Sequence, residues 1–182
     1  MKNIIALDAG HGGRDFGALG KNFREKDLNL KLGAELFTQL LELKMRPILL
    51  RSGDYDLSLR ERVNIASKKE ADVFLSLHHN GFSNPAARGC ETFYFPGSKQ
   101  GRKLARHMQT EMLKFLSVPD RGIKSSKNLY VLRATSMPAV LVEPLFVTSP
   151  QDQEIYSTSD YFKELAARLI RGLHKFFKSG HF

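Results

Sequence analysis

Short apolar, β-branched runs alternate along this chain with longer stretches of helical periodicity. Residues 3–8, 47–51, 73–78, 91–95, 129–133 and 139–145 read as strands. Val73-Phe74-Leu75 and Ala139-Val140-Leu141-Val142 are apolar on both faces, which favours strands covered on both sides. Between them, Leu28, Leu32, Leu36, Leu40 and Leu43 recur at helical spacing. Ser58-Leu59-Arg60-Glu61 has the form of a capping box opening a second helix, because Ser and Glu each satisfy an orphan backbone donor. Leu104, Met108, Met112 and Phe115 mark a third helix, and Leu165, Leu169, Leu173 and Phe176 a last one. This order predicts an α/β single domain: a central, mostly parallel twisted sheet of about six strands with helices on both faces. No repeat or long linker divides residues 1–182. The irregular stretches are 9–24, 80–89 and 119–128, and in open α/β sheets such loops beyond the strand ends carry the ligand site.

Composition narrows the class without naming a reaction. With 28 Lys+Arg against 19 Asp+Glu the formal charge is +9, which points to a polyanionic partner: nucleic acid, lipid or cell wall. A single cysteine, Cys90, excludes an internal disulfide and a zinc ribbon; it reads as a small buried residue at the head of a strand. No run approaches the roughly 18 apolar residues of a membrane-spanning helix. The apolar stretch after Met1-Lys2 is too short for a signal peptide, so the expectation is a protein released by lysis, a cleaved precursor or a trimmed form.

Four residues concentrate the candidate chemistry. Ala9-Gly10-His11-Gly12-Gly13 runs a strand into a histidine flanked by glycines, which clear space around the imidazole and do not match a phosphate loop. His78 closes a buried apolar strand and needs a partner for its ring nitrogens, while neighbouring His79 points to the opposite face. Glu143 follows four apolar residues, where a carboxylate must be paired, protonated or bound; a structural ion pair with Arg133 is the plain alternative. Glu25 opens the first helix, where the helix dipole alone would favour a glutamate. Two imidazoles and a carboxylate form a catalytic zinc set, and a further carboxylate beside the attacking water can move its proton.

The segments Ile5–Gly13, Glu25–Leu30, Leu57–Arg62, Ala71–Asn80, Leu129–Arg133 and Met137–Glu143 together resemble the zinc-dependent N-acetylmuramoyl-L-alanine amidases of bacterial autolysins and phage endolysins. The resemblance implies Zn2+ held by His11, Glu25 and His78, with Glu143 as the catalytic carboxylate. It implies hydrolysis of the amide between the muramic acid lactyl group and the first L-alanine of the peptidoglycan stem, hence action at the cell wall. His79 replaces the family's usual small residue, and Pro144-Leu145 its frequent Thr-Gly. Asn80, Arg121 and Lys124 are candidate substrate-binding residues, the two cations as partners for stem-peptide carboxylates.

The short loops leave no room for the long regulatory insertion of division amidases, nor the length for a separate wall-binding domain. The expectation is therefore a monomeric endolysin or autolysin catalytic core. A zinc peptidase or deacetylase is the rival enzyme reading. A nucleic-acid-binding domain rests on charge alone, and no nucleic-acid partner is expected, since no recognition motif accompanies the charge. Lys163, Arg168, Arg171, Lys175 and Lys178 ring the last helix, and its apolar stripe is expected to pack on the sheet rather than enter a membrane.

Overall fold

The computed structural model describes residues 3–180; Met1-Lys2, where the absence of a signal peptide was read, lies outside them. One six-stranded sheet organises the chain, in the order β2-β1-β3-β6-β4-β5. Its strands are β1 (Ile4–Ala9), β2 (Arg46–Leu49), β3 (Val73–Leu77), β4 (Cys90–Tyr94), β5 (Asp120–Ser125) and β6 (Ala139–Glu143). The helices are α1 (Glu25–Glu42), α2 (Leu59–Lys68), α3 (Lys99–Leu113), α4 (Tyr130–Ala134), α5 (Pro150–Tyr156) and α6 (Tyr161–Lys178).

Strand alternation divides the apolar residues into two cores. Ile5, Leu7, Val73, Leu75, Leu77, Val140 and Val142 face α1, α3 and α6. Ala6, Phe74, Ala139 and Leu141 face the other way, beneath α2 and α4. The apolar stripe of α6 is consumed in the first core, with Leu165, Leu169 and Leu173 fully buried.

The pairs β1–β2, β1–β3 and β3–β6 are parallel. Strand β2 lies on one side of β1 and β3 on the other, so the winding reverses at β1 and opens a crevice between the carboxyl ends of β1 and β3. The connection from β3 to β4 contains no helix to carry the chain back down the sheet. Strand β4 therefore starts at that same edge and runs antiparallel to β6. Strand β5 pairs parallel with β4, which brings its first residues to the same edge too.

Two sequence expectations are corrected here. Residues 129–133 are not a strand: they lie in and just before α4, whose Val131 and Leu132 plug the smaller core. A five-residue apolar run has no length to separate helix from strand, so packing decides. The missing strand is β5, inside the stretch expected to be the irregular loop 119–128. It is an edge strand, and its Asp120, Arg121 and Lys124 hide the apolar alternation by which strands are recognised. Helix α5 was also absent from the reading, although Ser149 caps it and Pro150 occupies its first turn. The capping box on α2 is present, with Ser58 and Glu61 exchanging hydrogen bonds.

Candidate functional site

Three of the four candidate residues meet in the crevice between β1 and β3. His11 lies just past β1, His78 just past β3, and Glu25 is the first residue of α1, which descends from the same edge. One ligand atom from each lies within 4.8 Å of the others. Glu25 Oε2 is 3.1 Å from His11 Nε2, and Glu25 Oε1 is 2.8 Å from His78 Nδ1. The two imidazoles stand edge to face, 4.9 Å between centroids.

The backbone around these groups is shaped by what is absent from it. A Cβ on Gly10 would sit 2.2 Å from the His78 ring, and one on Gly17 would sit 2.6 Å from both Glu25 Oε2 and His11 Cδ2. The cleared space thus serves the other ligands rather than the His11 ring alone. His11 itself holds a left-handed φ of 60°, a strained conformation for a residue with a side chain. Two buried arginines hold this turn in place through its carbonyl groups. Arg51 donates to the carbonyls of Ala9 and Gly10. Arg62 donates to those of Ala9 and His11 and pairs with Asp8 at 2.6 Å.

Electrostatics within the cluster favour a carboxylate between two imidazoles. Burial alone would raise the Glu25 pKa, but hydrogen bonds from His11 and His78 hold it far below the usual carboxylate range. Burial pulls His11 down, yet Glu25 and then Asp15 outweigh it and lift its pKa to about 9. Asp15 Oδ2 lies 2.8 Å from His11 Nδ1, the carboxylate–histidine contact that fixes the ring of a metal ligand. Two imidazole nitrogens and a carboxylate oxygen on so short a baseline are a donor set suited to a divalent cation of borderline softness.

Glu143 ends β6 at the same edge, and its electrostatic neighbours include His78, Glu25 and His11. Burial pushes its pKa up to about 7. Its Oε2 is buried without a hydrogen-bond partner among the described residues. The expected alternative partner is elsewhere: Arg133 donates to the Lys127 carbonyl and covers the Tyr130 ring. An unpaired carboxylate oxygen beside a ligand cluster is costly to maintain and available to a reacting proton.

His79 takes no place among these ligands. It is fully buried on the other face, its ring between Asn29 Oδ1 and the Tyr161 hydroxyl, each at 2.9 Å. Its backbone N–H donates to Glu25 Oε1. Asn29 Nδ2 also lies within hydrogen-bond reach of Glu25 Oε1. Asn29 and Asp15 were not among the sequence candidates, although each sits four residues after a candidate ligand.

Asn80, Arg121 and Lys124 converge on one buried carboxylate, Glu91, which faces Glu143 across the β4–β6 pair. Asn80 Nδ2 donates to Glu91 Oε1 at 2.7 Å, Arg121 Nε to Glu91 Oε2 at 2.7 Å, and Lys124 Nζ also to Oε2. Arg121 and Lys124 therefore stand on a strand, not in a free loop, and each is already paired. Cys90, next in the chain to Glu91, is buried, and burial pushes its thiol up.

A sequence model of the N-acetylmuramoyl-L-alanine amidase family matches residues 5–175. The uncharacterized protein YqiI of Bacillus subtilis is 36% identical over 176 residues, covering 95% of this chain and 84% of YqiI. N-acetylmuramoyl-L-alanine amidase LytC of Bacillus subtilis is 37% identical over 168 residues, covering 91% of this chain and 34% of LytC. Among solved structures, the N-acetylmuramoyl-L-alanine amidase from Clostridium difficile 630 superposes with a TM-score of 0.93 at 34% identity, covering 99% of each chain.

Proposed function

The chain belongs to the N-acetylmuramoyl-L-alanine amidase family, and from that premise we propose that it hydrolyses peptidoglycan at the amide joining the muramic acid lactyl group to the stem's first L-alanine. His11, Glu25 and His78 would hold the Zn2+, and Glu143 carries the proton. The observation that carries this reading is the convergence of three metal-ligating side chains within 4.8 Å beside a carboxylate whose Oε2 has no partner among the described residues. The substrate makes the cell wall the place of action.

An amide is a weak electrophile with a poor leaving group. A bound Zn2+ supplies the Lewis acidity that polarises the scissile carbonyl and acidifies water. Glu143 Oε2 accepts a proton from the attacking water as its oxygen bonds to the carbonyl carbon. The same carboxyl then delivers that proton to the alanine nitrogen as the C–N bond breaks; the second water proton stays on the lactyl acid, which ionises, and the alanine leaves as a free amine. Burial raises the pKa of this carboxyl above the ordinary carboxylate range, which makes it a better base toward water than an exposed glutamate. Asp15 keeps the His11 ring in its ligating orientation, and the buried arginines keep the turn that presents it.

Glu143→Gln is expected to keep its zinc and its fold while losing turnover by about a thousandfold. The assay is digestion of purified sacculi, read as release of peptides with a free N-terminal alanine, alongside zinc content and thermal melting. Near-normal turnover in that variant removes Glu143 from the reaction. Release of shorter peptide fragments by the native protein would instead assign a peptidase.

A further inference from the structure

We propose that the cleft binds its substrate in one direction, with the sugar-bearing acyl half in a neutral pocket between α2 and α4 and the peptide half along Arg121 and Lys124. This direction rests on the amidase reading above and adds the assignment of each substrate half to a wall.

The two sides of Glu143 differ in kind. Toward β1 and β3 a cavity of about 410 Å³ reaches His11 and His78. Its walls are the start of α2, with Leu57 and Leu59, and the start of α4, with Leu129, Tyr130 and Val131, above a floor of Leu141. The ionic groups in this lining are each already paired. Arg62 is bound to Asp8 and to three backbone carbonyls, and Asp15 to His11. What remains for a ligand is apolar area, the Tyr130 hydroxyl and the ring face that Arg133 does not cover, and the Asn128 amide. Away from His11 and His78 this lining offers an ionised group no unpaired counter-charge, and burying one there would cost several kcal/mol. An N-acetylated sugar, uncharged and carrying both methyl groups and hydroxyls, matches such a lining.

Toward β5 the surface is cationic. Glu91 neutralises one of its two positive partners, so Glu91, Arg121 and Lys124 together carry a net positive charge. Both cations remain partly open, with side chains 36% and 40% exposed. Arg121 uses its Nε on Glu91, whereas its Nη1 makes only a 3.5 Å contact with the Arg88 carbonyl. An arginine held by one edge presents the rest of its fork to a carboxylate, and a stem peptide supplies carboxylates where a muramyl sugar joined in amide linkage does not. Alternation along β6, β4 and β5 puts Glu143, Glu91 and Lys124 on the face of the sheet that also carries Leu141. The two walls therefore stand on one face of the sheet, on either side of Glu143.

The test is fragment binding followed by backbone NMR on the zinc-loaded Glu143→Gln protein, which removes turnover. The uncharged methylamide of N-acetylmuramic acid is expected to shift the amide signals of residues 57–62 and 128–131, and L-alanyl-D-glutamate those of 121–124. Tyr130→Ala, or the milder surface change Leu59→Ala, is expected to weaken the sugar fragment about fivefold and leave the dipeptide unaffected. Lys124→Ala is expected to do the converse. A reversed pattern, a mixed one, or no shift in either region overturns the direction. Sacculus digestion by the native protein is read separately, so its failure would overturn the amidase reading itself.

Discussion

Glu25 is gripped from both ends of its carboxylate. Oε2 accepts from the Ala18 N–H at 2.8 Å and faces His11, while Oε1 accepts from the His79 N–H and Asn29 and faces His78. Asn29 is the hinge of this support, since its Oδ1 also receives the His79 ring. Removing such an outer partner typically costs about 10–100-fold in metal affinity. Asn29→Ala is expected to lose zinc affinity on that scale, measured by competition with a chelator, even where its melting temperature stays close to that of the native protein. His79 contributes differently. Burial drives its pKa down to about 4 from 6.5, so it is neutral in the folded protein. Below pH 6.5 the unfolded chain takes up a proton that the folded chain refuses. Stability present above pH 6.5 is therefore lost as pH falls toward 4, by about 3 kcal/mol from this residue. Urea unfolding of metal-free protein between pH 7.5 and 4 checks it: His79→Gln should show a shallower loss, and parallel curves would assign the acid sensitivity elsewhere.

At the scale of elements, periodicity was informative where segments are long. Helices α1, α3 and α6 carry their apolar stripes over 15 to 18 residues, and their burial follows the spacing of Leu, Met and Phe in the sequence, except that Leu43 lies past the end of α1 and is exposed. It failed at the short elements β5 and α4. There a polar edge strand and a five-residue apolar helix take their forms from neighbours in space. Helix α2 lies between these cases, being short but marked by its capping box. Ser58→Ala removes the acceptor for the Glu61 N–H and should cost about 1 kcal/mol, read as a lower midpoint in urea. Because the first turn of α2 forms one wall of the cavity beside His11, fraying there should also raise KM on soluble muropeptides. An unchanged KM would separate the cap from the cleft.

Over the whole molecule the +9 charge lies on a fold whose candidate ligands are gathered at one edge of the sheet. Helix α6 commits its apolar stripe to α1 and α3 and shows its cations to solvent. Among the described residues, no helix is long and apolar enough to cross a membrane. On an anionic wall polymer, this charge gives attraction that salt screens over a Debye length of about 8 Å at physiological ionic strength. Sacculus binding is expected to weaken steeply as salt rises from 0.05 to about 0.5 M, by co-sedimentation, and salt-independent binding would remove the charge from that role. The amino-acid sequence by itself determined the α/β plan, the long helices, the family and the identities of the candidate ligands, because periodicity and motifs are local properties of the chain. Tertiary structure decided how these ligands meet: the His78 ring faces Glu25, 53 residues away, the His79 ring turns to Asn29 and Tyr161, and Arg133 bonds the Lys127 carbonyl instead of Glu143. It likewise decided that Asn80, Arg121 and Lys124 share Glu91. Each of these depends on which strand ends reach the same edge of the sheet, and that is set by packing between segments remote in sequence.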